Sequence, residues 1–401
     1  MKPKTSRLIV LLAVVILLAG LLLRLLFLSS PQEYVFDEVY FAKFASALTR
    51  GEYNYDIHPP LGKVLIGLGI RLLGDNFLGY RVMPMLIGTL FLFIVYLFSK
   101  AFFKNEITAL IALFITFCEG TYLVYSRLSL LDIFMLTFGF LSLYFLVLYF
   151  KEEKLFWLFL AGLFAGFTIS IKWIGLGIIV SAFIFWLLFL SKKTLKKTLL
   201  FLLAFGLLPL LIYTAVFTFV FKEDFWVNFK LWHIQTWNYN IHLNEGHPYG
   251  AKWWTWPLLL RPIWFYYKQV PPSQVVGILT VGNPILWWTA SLVVLFELIR
   301  NYQRGNPKIS ALLAGWAVFF LPWIFVGRVL FLYHYLFSSV FAYLLLSNLL
   351  SEMWQNQKNR LLVKIILGLG FAMFLFFLPL WMGLPISERF YSWHIFFRSW
   401  I

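Results

Sequence analysis

The chain has 401 residues, of which 62% are hydrophobic, 21% aromatic and only 12% charged. Apolar runs long enough to cross a bilayer recur from end to end, which excludes a soluble globular domain and is typical of a polytopic membrane protein. The formal net charge of +16 is better explained by basic loops on one side of a membrane than by binding to nucleic acid.

The apolar runs predict transmembrane helices, because backbone in lipid must satisfy its own hydrogen bonds. At roughly 20 residues per crossing we expect about eleven spans. Lys172 interrupts the stretch 154–191, so a tilted or broken helix is an alternative there. No repeat or linker divides the chain, so a single membrane-embedded domain, 1–401, is expected. The predicted spans lie near 8–28, 80–99, 107–124, 128–149, 154–171, 174–191, 198–221, 280–299, 309–326, 329–349 and 361–381.

The basic residues predict the topology. The first run follows a basic N-terminus and is longer than a signal-peptide core, so it predicts a retained anchor helix. By the positive-inside rule the N-terminus and the basic loops lie in the cytoplasm. The outer face then carries two long segments, 29–79 and 222–280, and the tail 382–401. The basic loops are 100–106, 150–154, 191–198, 300–308 and 351–360.

The outer segment 29–79 predicts two short helices that lie along the membrane interface. Pro59 and Pro60 suit the entry of the second helix, since proline is tolerated in a first turn. Apolar residues recur at helical spacing in two stripes, which are Val39, Phe41, Phe44, Ala45 and Leu48 in the first helix and Leu61, Val64, Leu65 and Leu68 in the second.

The adjacent carboxylates Asp37 and Glu38 open the first of these helices. Neighbours on a helix do not share a face, so a paired acid/base device is not indicated. One carboxylate can point into a cavity as a general base toward a hydroxyl, while the other makes structural contacts. The alternative is an acidic helix start that only complements the positive end of the helix.

Cations on the outer face could hold a lipid phosphate. His58, Lys63, Arg127 and Arg328 supply the charges or donors for it. The alternative is that cations at helix ends snorkel to the interface. We prefer this alternative for Lys172 and the functional interpretation for Arg127 and Arg328. Glu119 and Asp132 flank Arg127 in sequence and are expected to orient it by ion pairing.

The second outer segment, 222–280, is dense in Trp, Tyr and His, which predicts an interfacial aromatic belt, or alternatively a stacking floor for sugars or polyprenyl chains. His233, His242 and His247 share this segment, but their spacing does not favour a metal site over ordinary hydrogen bonding. The single Cys118 excludes an internal disulfide and a multi-cysteine metal site. We therefore expect no cofactor, and a divalent metal is not indicated.

Several blocks of the sequence, in the same order, resemble the protein O-mannosyltransferases. The resemblance covers the chain from about residue 36 to 349 and implies the C-type fold of membrane glycosyltransferases. Eukaryotic members carry a lectin-like domain in the second outer loop, for which 222–280 is too short, so the resemblance is to bacterial-type members. The blocks are FDEVYFAKFASALTRGEYNYDIHPPLGK, YSRLSLLDIF, SIKWIGLG, HPYGAKWWTWPLLLRPIWFYY, GNPILWW and GRVLFLYHYL.

The resemblance implies roles for individual residues. Asp37 matches the catalytic aspartate that activates the acceptor hydroxyl, and Glu38 matches its partner. Arg127 matches an arginine tied to donor binding, His58 lies near the donor phosphate, and Arg328 with His334 closes the donor site.

The implied reaction transfers mannose from a polyprenyl-phosphate mannose to Ser or Thr of a translocating protein, with inversion and without a metal. It also implies the bacterial inner membrane as location, with the active site on the outer face, and association with the secretion machinery.

Two other functions are alternatives to mannosyl transfer. A C-type transferase that moves another sugar, such as aminoarabinose, onto a lipid or glycan would share the topology. Those enzymes carry a Lys-Pro-Pro pattern at the position where this chain has His58-Pro59-Pro60, which favours the mannosyltransferases. A transporter would instead show repeated halves and polar groups at the midplane, while here the polar residues gather at the outer ends and Arg24 is the main exception.

Overall fold

The structure, a computed structural model, describes residues 3–190, 193–243 and 246–401, with side chains from Arg7 onward. Positions 191–192 of one predicted basic loop and 244–245 of the second outer segment lie outside the described residues. The described chain is predominantly helical, as the apolar runs predict.

The helices of the N-terminal half are α1 (Pro3–Leu25), α2 (Glu38–Thr49), α3 (Leu61–Leu73), α4 (Phe77–Phe103), α5 (Glu106–Phe117), α6 (Gly120–Tyr125), α7 (Asp132–Glu152), α8 (Leu155–Ile169) and α9 (Leu176–Phe189). Those of the C-terminal half are α10 (Leu195–Leu202), α11 (Leu208–Phe221), α12 (Phe225–His242), α13 (Pro284–Arg304), α14 (Pro307–Phe320), α15 (Leu336–Gln355), α16 (Arg360–Met382) and α17 (Glu388–Trp393). The strands are β1 (Ile263–Val270), β2 (Gln274–Thr280) and β3 (Pro385–Ser387).

Each predicted span falls on one of these helices or on consecutive helices. Within the described residues, seven helices are long and apolar enough to cross a membrane, and three more are apolar but shorter. The stretch 154–191 is two helices, because α8 ends at Ile169 and a single 3-10 turn at Trp173–Gly175 precedes α9. The number of crossings, about eleven by the 20-residue ruler, stays a prediction.

The two short helices predicted in the first outer segment are present as α2 and α3, and Pro60 caps α3. The apolar stripe predicted for α3 lies on its less buried side, because Leu68 is exposed while Gly62, Lys63 and Ile66 on the opposite side are buried. An interfacial helix can turn its leucines toward lipid and its small residues toward neighbouring helices. Gly69 permits one such approach, since a Cβ there would lie 2.4 Å from the carbonyl oxygen of Gly79.

The second outer segment and the C-terminal tail build a small cap with β-structure that the sequence does not predict. β1 and β2 form an antiparallel hairpin, and β3 from the tail adds to β2 in the order β1-β2-β3. Trp400 anchors the tail, with its ring nitrogen donating to the Leu259 carbonyl at 2.7 Å. The fold is otherwise helical, so the cap is an addition to the predicted all-helical architecture.

The basic loops gather at the end of the bundle away from this cap. Lys197 pairs with Glu153 at 2.8 Å, and the Lys308 ammonium donates to the Phe103 carbonyl at 3.3 Å. These contacts join four of the loops that the positive-inside rule groups together. The most buried long helices, α7 and α15, run between the two ends.

Candidate active site

A cavity of about 840 Å³ opens between the first outer segment, α9, α14 and the segment that follows α14. One end of it is polar, and the rest is apolar. The polar end is lined by His58, Asp132, Lys172, Asn240, Arg328, Tyr333 and His334. The structure thus brings together side chains that are far apart in sequence, five of which the sequence nominates.

Lys172 and Arg328 are the cations of the polar end. The Lys172 ammonium donates to both carboxylate oxygens of Asp132, at 2.9 and 2.8 Å, and lies 5.4 Å from the centre of the Tyr333 ring. Arg328 is half-buried, and across the described residues its guanidinium has no hydrogen bond or ion pair. A guanidinium in this position is available for an anionic ligand.

Two histidines lie beside these cations. Burial, together with the positive charges of Lys172, Lys63 and Arg328, holds the pKa of His58 well below its ordinary value, so its imidazole is neutral. His334 packs against the Trp256 and Trp323 rings, and its Nδ1 contacts the backbone of Phe331. The Nε2 atom of His334 has no partner among the described residues, which leaves it for a ligand at the cavity.

The apolar part of the cavity is a groove between α9 and α14. Gly177 allows the two helices to approach, because a Cβ there would lie 2.5 Å from the Phe319 ring. The side chains of Val180 and Phe325 are largely exposed on the groove. An apolar groove that starts at a cationic end matches the shape of a long isoprenoid attached to a phosphate.

Asp37 lies beside the polar end without lining the cavity itself. Its electrostatic neighbours are Lys172, Asp132 and Asp56, and within the described part of the chain its carboxylate has no hydrogen bond. Burial raises the pKa of Asp37 to about 6, Lys172 opposes the rise, and Asp132 and Asp56 add to it. The preceding Phe36 has a φ of 52°, a strained backbone conformation for a residue with a side chain.

Glu38 turns away from Asp37 into the protein, as expected for neighbours on a helix. It is fully buried, and its two oxygens accept from Nε and Nη2 of Arg81 at 2.9 and 2.7 Å. Its oxygens also accept from the backbone nitrogens of Val35 and Ser129, at 3.0 and 2.8 Å. These contacts hold the start of α2, and with it Asp37, against α4 and the segment before α7.

Arg127 lies in the turn between α6 and α7, where the sequence places it, but its side chain bonds to the protein. Its guanidinium donates to the carbonyls of Leu23, Arg24, Leu26 and Phe27 at 2.7 to 3.2 Å. These carbonyls lie at the C-terminal end of α1 and in the turn after it, where a cation also complements the helix dipole. Arg127 does not line the cavity and its guanidinium is engaged by these carbonyls, so the structure gives no support to its predicted contact with a donor phosphate.

The expected ion pairs of Arg127 with Glu119 and Asp132 are also wrong. Asp132 pairs with Lys172 instead. Glu119 caps α6 through Thr121, accepts from the Asn283 backbone at 3.1 Å and from the Tyr343 hydroxyl. Sequence proximity was misleading here, because the start of α7 and the start of α6 face different neighbours.

Lys63 is likewise used inside the protein. Its buried ammonium donates to the Asp56 carboxylate at 2.5 Å and to the His58 carbonyl at 2.6 Å. It is not among the residues that line the cavity, so it fixes the loop that carries His58.

The interpretation of Lys172 as a snorkelling cation is wrong, since its side chain is buried against Asp132 at the cavity.

Sequence reasoning missed several residues of the site. Arg81 lies inside a predicted span, and a buried cation there signals a buried carboxylate partner. Asp56 lies in the first outer segment two residues before His58, and its closeness to that histidine is the signal that could have identified it. Tyr333 stands next to the nominated His334, but an aromatic residue in this chain carries little signal because 21% of the residues are aromatic.

Two family models match the chain and together cover nearly all of it. The first, dolichyl-phosphate-mannose-protein mannosyltransferase, matches residues 14–229. The second, the C-terminal four-transmembrane region of protein-O-mannosyltransferase, matches residues 225–400.

Curated relatives are similar to this chain over most of their length. A polyprenol-phosphate-mannose–protein mannosyltransferase of Mycolicibacterium smegmatis is 26% identical, over 94% of this chain and 90% of its own. One of Corynebacterium glutamicum is 25% identical, over 87% of this chain and 82% of its own.

Solved structures show the same fold. The protein O-mannosyltransferase Pmt1-Pmt2 complex of S. cerevisiae, bound to the sugar donor, aligns with a TM-score of 0.86 and 16% identity, over 98% of this chain and 92% of that one. ArnT from Cupriavidus metallidurans, bound to undecaprenyl phosphate, aligns with a TM-score of 0.62 and 13% identity, over 96% and 77%.

Proposed function

Because the chain belongs to the dolichyl-phosphate-mannose–protein mannosyltransferase family, we propose that it transfers mannose from a polyprenyl-phosphate mannose to Ser or Thr hydroxyls of proteins, with inversion. The observation that carries this proposal is one cavity that joins an unpaired guanidinium, a buried lysine and an apolar groove beside a carboxylate of raised pKa. Each part has a task in transfer from a lipid phosphate.

The donor fits the cavity by chemistry and by shape. The phosphate lies between Arg328 and Lys172, where both cations can approach its oxygens. Neutral His58 and the free Nε2 of His334 supply further hydrogen bonds to it. The polyprenyl chain follows the groove between α9 and α14 to the surface that faces lipid. This arrangement leaves the sugar between the cations and Asp37.

Asp37 is the proposed general base. With a pKa of about 6 it is mostly ionised at neutral pH yet more basic than an ordinary aspartate. It accepts the proton of the acceptor hydroxyl as the oxygen attacks the anomeric carbon. The new carbon–oxygen bond forms as the bond to the phosphate oxygen breaks on the opposite face. Attack from the face opposite the leaving group inverts the anomeric configuration.

The cations act on the leaving group. The phosphodiester of the donor carries one negative charge, and the polyprenyl phosphate that leaves gains more. Arg328 is not neutralised by a carboxylate of the described chain, so its attraction grows as this charge develops. Asp132 holds Lys172 in place before the donor arrives.

We assign supporting roles to the residues that the structure keeps away from the cavity. Glu38 with Arg81 positions Asp37, and Lys63 with Asp56 positions His58. Arg127 holds the C-terminal end of α1 in place by hydrogen bonds to its carbonyls. None of these roles requires contact with a substrate, and no metal takes part in the proposed reaction.

The proposed location is the bacterial inner membrane, with the cavity and the β-structured cap on the outer face. The support is the separation of the basic loops from the cavity. The polyprenyl donor then enters from the outer leaflet, and translocating proteins meet Asp37 as they leave the secretion machinery.

The test is transfer by the purified protein from radiolabelled polyprenyl-phosphate mannose. A Ser/Thr-rich peptide and a lipid extract are offered together. We expect label on the peptide, released by alkaline β-elimination. Label on lipid alone would overturn the proposed acceptor, and transfer only from a donor with another sugar, such as aminoarabinose, would overturn the proposed donor.

A further inference from the structure

Tyr125 is a buried tyrosine with an unused hydroxyl. It is the last residue of α6 and is 2% exposed. Among the described residues its hydroxyl has no hydrogen-bond partner, whereas the Tyr122 hydroxyl one turn earlier is 2.6 Å from that of Ser339. The Tyr125 hydroxyl is not fully enclosed by protein and still reaches open space. Its side chain is buried but its hydroxyl is unpaired and reachable, so the hydroxyl can donate to or accept from a ligand in that space.

The surroundings of Tyr125 are those of the proposed reaction centre. Its electrostatic neighbours are Asp132, Tyr333 and Asp37. Its ring meets Phe265 edge-on at 5.5 Å, and Phe265 stacks at 4.2 Å on Phe36, the residue before Asp37. Aromatic packing therefore fixes the ring behind the proposed base.

The reacting sugar has to occupy the space between the base and the cations. The acceptor oxygen, the anomeric carbon and the phosphate oxygen must be nearly in line for inversion, with Asp37 at one end and the phosphate cations at the other. Tyr125 lies near both Asp37 and Asp132, the partner of Lys172. Like Asp37, Tyr125 does not line the cavity itself, so a sugar that reaches Asp37 also comes close to the Tyr125 hydroxyl.

We propose that the Tyr125 hydroxyl hydrogen-bonds a hydroxyl of the hexose in the lipid-phosphate donor and so positions the ring between Asp37 and the cations. This inference rests on the proposed function and adds a residue that recognises the sugar. It predicts that Tyr125 contributes to binding only when the lipid phosphate carries its sugar.

The test compares the affinities of the purified protein for polyprenyl-phosphate mannose and for polyprenyl phosphate. In Tyr125→Phe we expect affinity for the mannose donor to fall about tenfold, the loss of roughly one hydrogen bond, while affinity for polyprenyl phosphate is unchanged. The melting temperature should hold or rise, because no protein hydrogen bond is lost. Tyr122→Phe is the matched control and should lower the melting temperature without changing the ratio of the two affinities.

Three outcomes would overturn the inference. Tyr125→Phe could keep the wild-type ratio of affinities, or weaken both ligands equally, or raise only the KM of the acceptor peptide. Wild-type turnover of the mannose donor is measured alongside. If wild type turns over the donor and Tyr125→Phe keeps its affinity ratio, the inference alone fails. If wild type does not use the donor, the proposed function fails and the inference with it.

Discussion

The proposed reaction requires the Asp37 carboxylate to be ionised, so its pKa sets the pH dependence of transfer. Its pKa is raised to about 6, above the ordinary range of an aspartate. A raised carboxyl pKa means that the base is lost as pH falls through about 6. We expect kcat/KM to be level above neutrality and to decline below pH ~6, measured by steady-state transfer across pH. A decline that begins only near pH ~4, the value of an unperturbed aspartate, would contradict this assignment.

Arg127 and Arg328 are two arginines with opposite expected effects. Arg127→Ala removes four hydrogen bonds from the end of α1, so we expect a loss of stability of about 3 kcal/mol. Arg328→Ala removes no protein hydrogen bond and should instead weaken binding of polyprenyl phosphate about tenfold or more. Thermal unfolding and lipid titration of each variant would check this. Donor binding lost in Arg127→Ala at an unchanged melting temperature would restore the role implied by the resemblance.

The sequence identified reactive residue types well and their partners poorly. Asp37, His58, Arg328 and His334 were nominated, and all lie in or beside the cavity. Arg127 and Lys63 were nominated for the same chemical reason, yet both already donate to several protein oxygens. A sequence shows that a cation is present at the end of a helix, but only the packing shows whether its hydrogen bonds are already used.

Among the elements, the groove between α9 and α14 is the proposed binding site for the lipid chain. Ala317 lines it from α14, whereas Leu187 on α9 is exposed and does not line it. We expect Ala317→Trp to fill the groove and raise the KM of a long polyprenyl donor about tenfold, since each methylene kept out of the groove forfeits about 0.8 kcal/mol. A donor with a short chain should be affected less, and Leu187→Trp should change neither. Equal effects on both chain lengths would place the lipid elsewhere.

Helix positions followed from periodicity, while the side of α3 that packs against the protein had to come from the structure. α2 and α3 lie where the stripes predict them, but α3 buries the side with Gly62 and Ile66. In water an apolar stripe faces the core, whereas beside lipid it can face outward. The hairpin of β1 and β2 was missed because its aromatic residues also suit an interfacial belt.

At the scale of the whole molecule, the separation of the basic loops from the cavity predicts orientation. Lys196 and Lys230 are both exposed, one in a basic loop and one on α12. The native Cys118 is fully buried and should not react. In intact cells we expect an impermeant thiol reagent to label Lys230→Cys and to spare Lys196→Cys until the membrane is opened. Labelling in the opposite pattern would invert the proposed topology.

Asp37 is the proposed base for mannosyl transfer by this family member, and every other assigned role depends on it. The most direct measurement is single-turnover transfer from radiolabelled polyprenyl-phosphate mannose to a peptide by Asp37→Asn, with donor binding checked in the same preparation. Asp224→Asn, which alters an exposed aspartate at the start of α12, is the control. We predict that Asp37→Asn binds the donor and transfers at least about a thousandfold more slowly, while Asp224→Asn behaves as wild type. Transfer by Asp37→Asn at the wild-type rate would show that Asp37 is not the base.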